Sequence, residues 1–363
     1  MGLSPRFSVF LYEMSVPRSI TFPLAIIALV VAGAALHVMQ PALLPFVVAL
    51  FLSNIFRPLV VFLRSRRVPM AFILLLVVVL VGGVLFGVSM VAVSSVNSLV
   101  AALPRYEARW NNSLLPSLEN LLAAAPASIQ DQLHTLRWSN IVQMSSIFGI
   151  LAAGAGGFVS VLSGLGLILL FMLFILEGNG LFERKIVAAY PKRAEEIIAV
   201  IKRIDEKTER YFITATLVNL VAGIISVIIL SAFGVDLALL LGLITFIVCF
   251  IPTIGSIFAM GLPILVAFLQ FDSISTPIAV AATLIGVQFL WGSVVTPRIM
   301  GSSLDLSPLL VLLSLIFWGW VWGPWGMVLS VPITSMIKIA MESIPATKPL
   351  AILGSHSFPP TQT

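Results

Sequence analysis

Apolar residues run through this chain in long blocks, and the polar positions gather between the blocks rather than alternating inside them. A helix rising about 1.5 Å per residue needs about 20 apolar residues to cross a hydrocarbon core. Blocks of that order occupy 20–38, 41–56, 70–95, 148–176, 211–233, 237–270, 274–296 and 305–341. The fold class they predict is all-α: a polytopic integral membrane protein of about eight hydrophobic segments, in a single transmembrane domain over 1–363. The second block is short and opens with Pro41 and Pro45, which predicts a tight hairpin with the first.

Two blocks are too long for one upright helix. The 237–270 block is interrupted by Pro252-Thr-Ile-Gly255 and again by Pro263. The 305–341 block is interrupted by Gly323-Pro-Trp-Gly326 and again by Pro332. Proline lacks an N–H and glycine admits positive φ, so each block predicts a broken segment. Each is either a kinked span or a pair of half-helices, a re-entrant hairpin. Broken backbone in hydrocarbon must meet protein or water, and paired interrupted segments point to a substrate site in secondary transporters. Two plain proline kinks are the alternative. The stretch from Thr296 to Pro308 carries Pro297, Arg298, Gly301 and Pro308 between two apolar blocks and predicts a turn-rich loop.

Composition excludes a water-soluble body. Apolar residues make up 60% of the chain and charged ones 10%, with mean hydropathy +1.13, against about 25% charged in soluble domains. The net charge of +5 is then a statement about topology, not nucleic-acid binding. Basic residues cluster in 57–69 (Arg57, Arg64, Arg66, Arg67) and 177–210, whereas 96–147 holds only Arg105, Arg109 and Arg137. The excess of positive charge places the first two in the cytoplasm and 96–147 outside, with both termini cytoplasmic. The N-terminal stretch shows no cleavable signal pattern, so the first block is expected to be the first span. The 96–147 segment reads as an extracytoplasmic amphipathic insertion. The 177–212 segment reads as a cytoplasmic amphipathic helical segment with a stripe of Ile197, Ile201, Ile204, Thr208 and Tyr211. That stripe rests on the membrane interface or contacts another subunit.

The chemistry inside the blocks is neutral. Glu177, Asp236, Asp272, Asp305 and His37 all sit at block ends, where ion-coupled pumps would place such groups at depth. The polar groups within the blocks are mostly neutral, among them Ser and Thr hydroxyls, Asn219 and Gln288. Most hydroxyls bond their own helix, but a carboxamide has more donors and acceptors than one helix satisfies, so a partner helix or a solute is implied. Arg298 is the only basic residue between Arg210 and Lys338 and is either a snorkelling charge or a pathway group. The glycine run at 154–157 suits close packing or a hinge, and Trp318, Trp320, Trp322 and Trp325 form an interfacial belt or line a pathway. The single cysteine, Cys249, excludes a disulfide framework and a cysteine metal site. No protease, zinc or nucleotide motif is present, so an enzyme, a metal site, a cofactor and direct use of ATP are not expected.

At these residues the chain resembles the autoinducer-2 exporter family of bacterial permease-like membrane proteins, over nearly its whole length. The resemblance is carried by Phe250-Ile-Pro-Thr-Ile-Gly-Ser256, by Gln288 through Pro297-Arg-Ile-Met-Gly301 with Leu306-Ser-Pro308, and by Phe317-Trp-Gly-Trp through Trp322-Gly-Pro-Trp-Gly326 with Val331-Pro332. Pro58-Leu with Arg66, Arg67 and Pro69 matches the family's basic turn. The resemblance implies export of small polar solutes across the bacterial cytoplasmic (inner) membrane. It also implies a homo-oligomer, the pentamer being the form suggested, with membrane lipid and a small polar solute as partners and no nucleic acid. Cys249 stands where relatives often have Asn, and Ser293 and Thr296 stand where they often have Asn and Glu. Loss of a carboxylate beside Arg298 counts against cation coupling there.

The reading favoured is a secondary transporter or facilitator exporting an autoinducer-2-like solute. A sodium/proton antiporter is the alternative, and a non-transporting membrane scaffold the alternative of another class. The expected pathway residues are Asn219, Pro252, Thr253, Gly255, Gln288, Ser293, Pro297, Arg298, Gly301, Gly323, Pro324 and Gly326.

Overall fold

The computed structural model describes residues 18–121, 164, 166–176, 182–300 and 306–355. Every regular element within them is helical. In chain order they are α1 (Arg18–Val38), α2 (Gln40–Ser65), α3 (Met70–Arg109), α4 (Gly166–Leu176), α5 (182–189), α6 (Ala194–Ala232), α7 (Ala238–Val248), α8 (Ile254–Gln270), α9 (Ser275–Leu290), α10 (Pro308–Glu342) and α11 (Lys348–Leu353). Five helical stretches among the described residues are long and apolar enough to cross a membrane: Gln40–Ser65, Met70–Ser117, Ala194–Ala232, Ser275–Val295 and Pro308–Glu342. Their outer faces stay apolar, with Val79, Ile228 and Phe289 at 60%, 61% and 68% exposure. Such a surface suits lipid, not water. The glycine run at 154–157, most of the 148–176 block, Gly301 and Asp305 lie outside the described residues.

Several elements are longer than the hydropathy blocks. The amphipathic stripe 197–211 and the apolar block 211–233 are one helix, α6. No Pro or Gly separates the charged from the apolar half, so the backbone ladder runs on. Likewise α3 continues past residue 96 through a π turn, Trp110–Leu114, into Leu115–Leu121. The loop expected from Thr296 is helical as far as Met300. A π turn at Trp291–Val295, where the Thr296 N–H bonds the Trp291 carbonyl, carries α9 through Pro297. Widening the turn by one residue shifts the register just before the residue that has no N–H to give.

Both interrupted blocks fold back on themselves. α7 and α8 form a hairpin whose two outer ends are tied together. The Asp236 N–H donates to Gln270 Oε1 (2.6 Å), and Gln270 Nε2 donates to the Gly234 carbonyl (2.7 Å). Tyr106 and Arg105 of α3 bind the Asp236 carboxylate, and Arg109 donates to the Asp272 carbonyl (2.6 Å). α7 has 11 residues, a rise of about 16 Å, too short to cross a ~30 Å hydrocarbon core alone. α6 lies against α7 where Gly223 faces Gly242; a Cβ on either would crowd the other's carbonyl, and one on Gly242 would also overlap the Val227 side chain.

α10 is broken at Trp322 (φ −127°, ψ 17°) and Gly323 (φ 61°, ψ −143°). Its two arms are linked by Trp318 Nε1 donating to Thr334 Oγ1 (3.3 Å). The break frees the Val321 carbonyl, which accepts from His37 Nδ1 (2.7 Å), while Trp322 Nε1 donates to Leu36 O (3.1 Å). The outer end of the first arm is held by Ser307 N–H donating to Gly354 O (2.9 Å), and that of the second by the Arg203–Glu342 ion pair (3.2 Å). Arg203 lies near the start of α6 and Asp236 just beyond its end, so the two hairpins open at opposite ends of α6. The end bearing Arg57, Arg203 and Glu342 is called the basic end below.

Candidate functional site

The tip of the α7–α8 hairpin, Cys249 to Thr253, closes one side of a cavity of about 440 Å³. α6 supplies Tyr211, Ala215 and Asn219, spaced four residues apart on one face. α9 and its π turn supply Gln288, Trp291, Gly292 and Thr296. Leu306, Val311 and Val331 close the remaining side from the region of α10.

The tip owes its shape to three neighbouring residues. Thr253 adopts φ 65°, ψ −55°, and the Ile254 N–H bonds the Pro252 carbonyl at 2.7 Å across it. That is a γ-turn of the strained kind, which costs about 1–3 kcal/mol in a residue other than glycine. The Ser256 hydroxyl donates to the Thr253 carbonyl (2.8 Å) and holds the turn. Gly255 starts α8 so close to the end of α7 that a Cβ there would overlap the Val248 carbonyl. The strain therefore sits where the backbone meets the cavity, with the Thr253 side chain exposed.

The cavity is polar without charge. Asn219 is 8% exposed, and its carboxamide faces a space also lined by Gln288, Thr253, Ser256 and Thr296. Gln288 lies within hydrogen-bonding reach of the Cys249 thiol. The Trp291 indole N–H is buried with no hydrogen-bond partner. None of the described lining residues is acidic or basic. Among the described residues no three His, Cys, Asp or Glu side chains cluster as metal ligands do. Two carboxamides and four hydroxyls, the Tyr211 phenol among them, can donate and accept toward a neutral hydroxylated molecule without adding net charge.

The expected pathway residues divide cleanly. Asn219, Pro252, Thr253 and Gln288 line the cavity, and Gly255 shapes its wall. Ser293 and Arg298 are exposed and do not line it, while Thr296, beside Pro297, does. Gly323, Pro324 and Gly326 form the tip of the other hairpin, which packs on α1 instead. Sequence reasoning missed Tyr211, Ser256, Trp291 and Thr296. Tyr211 stands eight residues before Asn219 and Trp291 three after Gln288, so the helical period around the two carboxamides carried that signal.

The sequence model of the AI-2E family transporters matches residues 24–346. The chain is 32% identical over 320 residues to the AI-2 transport protein TqsA of Escherichia coli K12, spanning 86% of this chain and 88% of that one. A Haemophilus influenzae protein provisionally named a transport protein is 28% identical over 335 residues, 91% of this chain and 94% of its own. Bacillus subtilis YrrI, named in the same way, is 25% identical over 313 residues, 84% and 87% of the two chains. The family match extends over both hairpins and every helix that lines the cavity, and on that ground, with a 32% identical relative covering 86% of its length, the chain belongs to the AI-2E transporter family.

Proposed function

We propose that the cavity at the α7–α8 tip is the solute site of an exporter for small, neutral, hydroxylated molecules of the autoinducer-2 kind. The observation that carries this reading is the convergence of Asn219, Thr253 and Gln288 on one uncharged cavity at a strained hairpin tip. Hydrogen-bonding groups that must be satisfied in an apolar surrounding select a solute by its hydroxyls. The name of the Escherichia coli relative supports the solute class. The α7–α8 and α10 hairpins are read as re-entrant, since each keeps its two outer ends on one side. The protein is read as a homo-oligomer in the bacterial inner membrane with both termini cytoplasmic, outward transport following from the family. Sodium/proton antiport, the alternative, finds no carboxylate among the described lining residues that could exchange a proton for a cation. Arg298 lies outside the cavity lining, beyond Thr296 at the far end of α9 from Asp272, and is assigned to the pathway's inner mouth as a gating group.

Flux of autoinducer-2 and of ribitol through reconstituted vesicles tests the reading. Gln288→Leu and Asn219→Leu, at equal reconstitution, are expected to cut flux at least tenfold, and Ser293→Ala to leave it unchanged. Full flux in both leucine variants overturns it.

A further inference from the structure

From the cavity toward the basic end, the facing sides of α2, α6 and α10 carry polar side chains where a membrane core ordinarily carries apolar ones. On α10, Val331 lines the cavity, and Ser335, Lys338 and Glu342 follow on the same helical face. On α6, Tyr211 lines the cavity and Thr208 lies one turn further on. On α2, Asn54 stands one turn after Phe51.

The helix register brings these groups to one level. The Phe51 and Phe212 ring centroids are 4.7 Å apart, and Arg57 pairs with Asp205 at 3.2 Å. Asn54, midway between Phe51 and Arg57, therefore faces Thr208. The Arg203–Glu342 pair and the packing of Leu329 and Val331 against Tyr211 and Phe212 set Ser335 opposite the same turn of α6. Asn54, Thr208 and Ser335 are 6%, 1% and 2% exposed. Among the described residues, Asn54 Nδ2 and Ser335 Oγ have no hydrogen-bond partner. A buried polar group left unpaired is disfavoured, and interiors meet such groups with water or a ligand.

We propose that Asn54, Thr208 and Ser335 form a second, inner polar site. It takes a small neutral hydroxylated solute with its water and is separated from the cavity by a closed layer of Phe51, Tyr211 and Phe212. The site leads on to the Arg57–Asp205 and Arg203–Glu342–Lys338 charges at the basic end. The Asn54 amide donates, the two hydroxyls donate or accept, and a swing of the Tyr211 side chain joins the site to the cavity. This rests on the transport reading of the cavity and extends it into a two-site path.

Single-cysteine proteins in a Cys249→Ala background test it, with a membrane-impermeant trimethylammonium methanethiosulfonate applied to either face of sealed vesicles. Asn54→Cys and Ser335→Cys are expected to react from the basic face at least tenfold faster than Val77→Cys, a fully buried control. Adding Tyr211→Ala is expected to raise their reaction from the opposite face at least tenfold. Ser335→Cys is nearly isosteric and keeps the test sound if Asn54→Cys does not fold. Both cysteines remaining as inert as Val77→Cys, with and without Tyr211→Ala, overturns the inner site. Labelling from the basic face with no effect of Tyr211→Ala upholds the site and overturns the gate. Gln288→Cys reports on the cavity separately: its inertness beside reactive Asn54→Cys and Ser335→Cys sinks the cavity reading while the inner site stands.

Discussion

Gly255 and Gly326 occupy matching places, each near the start of the second arm of a hairpin and against a backbone carbonyl near the end of the first. A Cβ on Gly255 would overlap the Val248 oxygen, and one on Gly326 the Trp318 oxygen. Backbone oxygens cannot turn aside as a side chain does, so the arms would have to part. Gly255→Ala and Gly326→Ala are each expected to lower stability by about 1–3 kcal/mol or more, as overpacked cores do. Gly261→Ala and Gly286→Ala, where nothing lies within 4 Å of the added carbon, are expected to be neutral or stabilising by about 0.5–1 kcal/mol. Thermal unfolding in detergent, followed by tryptophan fluorescence, separates the two pairs. Equal melting of all four variants would show that the arms are not held at this distance.

Among elements, the π turns follow one rule. Trp110–Leu114 is followed by Leu115-Pro116 and Trp291–Val295 by Thr296-Pro297. In each the widened turn comes one residue before a proline, so the missing N–H falls where the ladder has already shifted. The second π turn also carries Trp291 and Gly292 into the cavity wall. Pro297→Ala restores the donor and lets the turn relax to α geometry. Melting is expected to rise while autoinducer-2 flux falls at least tenfold, because the wall past Gln288 rotates away. Unchanged flux at a raised melting temperature would mean that the π turn is only the cost of the proline.

Across the whole molecule, hairpins opening at opposite ends of α6 are pinned by charges placed near those ends. Asp236 receives the Tyr106 hydroxyl (3.0 Å) and the Arg105 guanidinium, which clamps the open end of α7–α8 to α3. The Arg105 and Asp236 side chains keep 54% and 33% of their exposure, so solvent screens the pair. Asp236→Asn and Tyr106→Phe are expected to be non-additive, with a coupling of about 1 kcal/mol in a double-mutant cycle of unfolding. Additive losses would show that the hydroxyl and the carboxylate act independently.

The sequence determined that the chain is a bundle of apolar helices, because a run of about 20 apolar residues with so few charges has no other stable arrangement. It also marked both breaks, since Pro252, Gly255, Gly323 and Pro324 combine a missing donor with freedom at φ. The two carboxamides of the cavity were legible because their polar groups exceed what a helix can satisfy. Where the breaks lead was not legible. Only tertiary packing decided that the α7–α8 tip closes a cavity while the α10 tip docks on His37 and Leu36 of α1. The local motifs are nearly alike, and the outcome depends on which distant carbonyls and indoles lie opposite. The same holds for Asn54 and Ser335: Asn54 is a carboxamide that must find a partner off its own helix, as Asn219 and Gln288 must, and Ser335 reads as an ordinary hydroxyl, but which groups lie opposite either is not written locally. Their lack of partners exists only once α2, α6 and α10 are brought into register by Phe51, Phe212 and the Arg57–Asp205 and Arg203–Glu342 pairs.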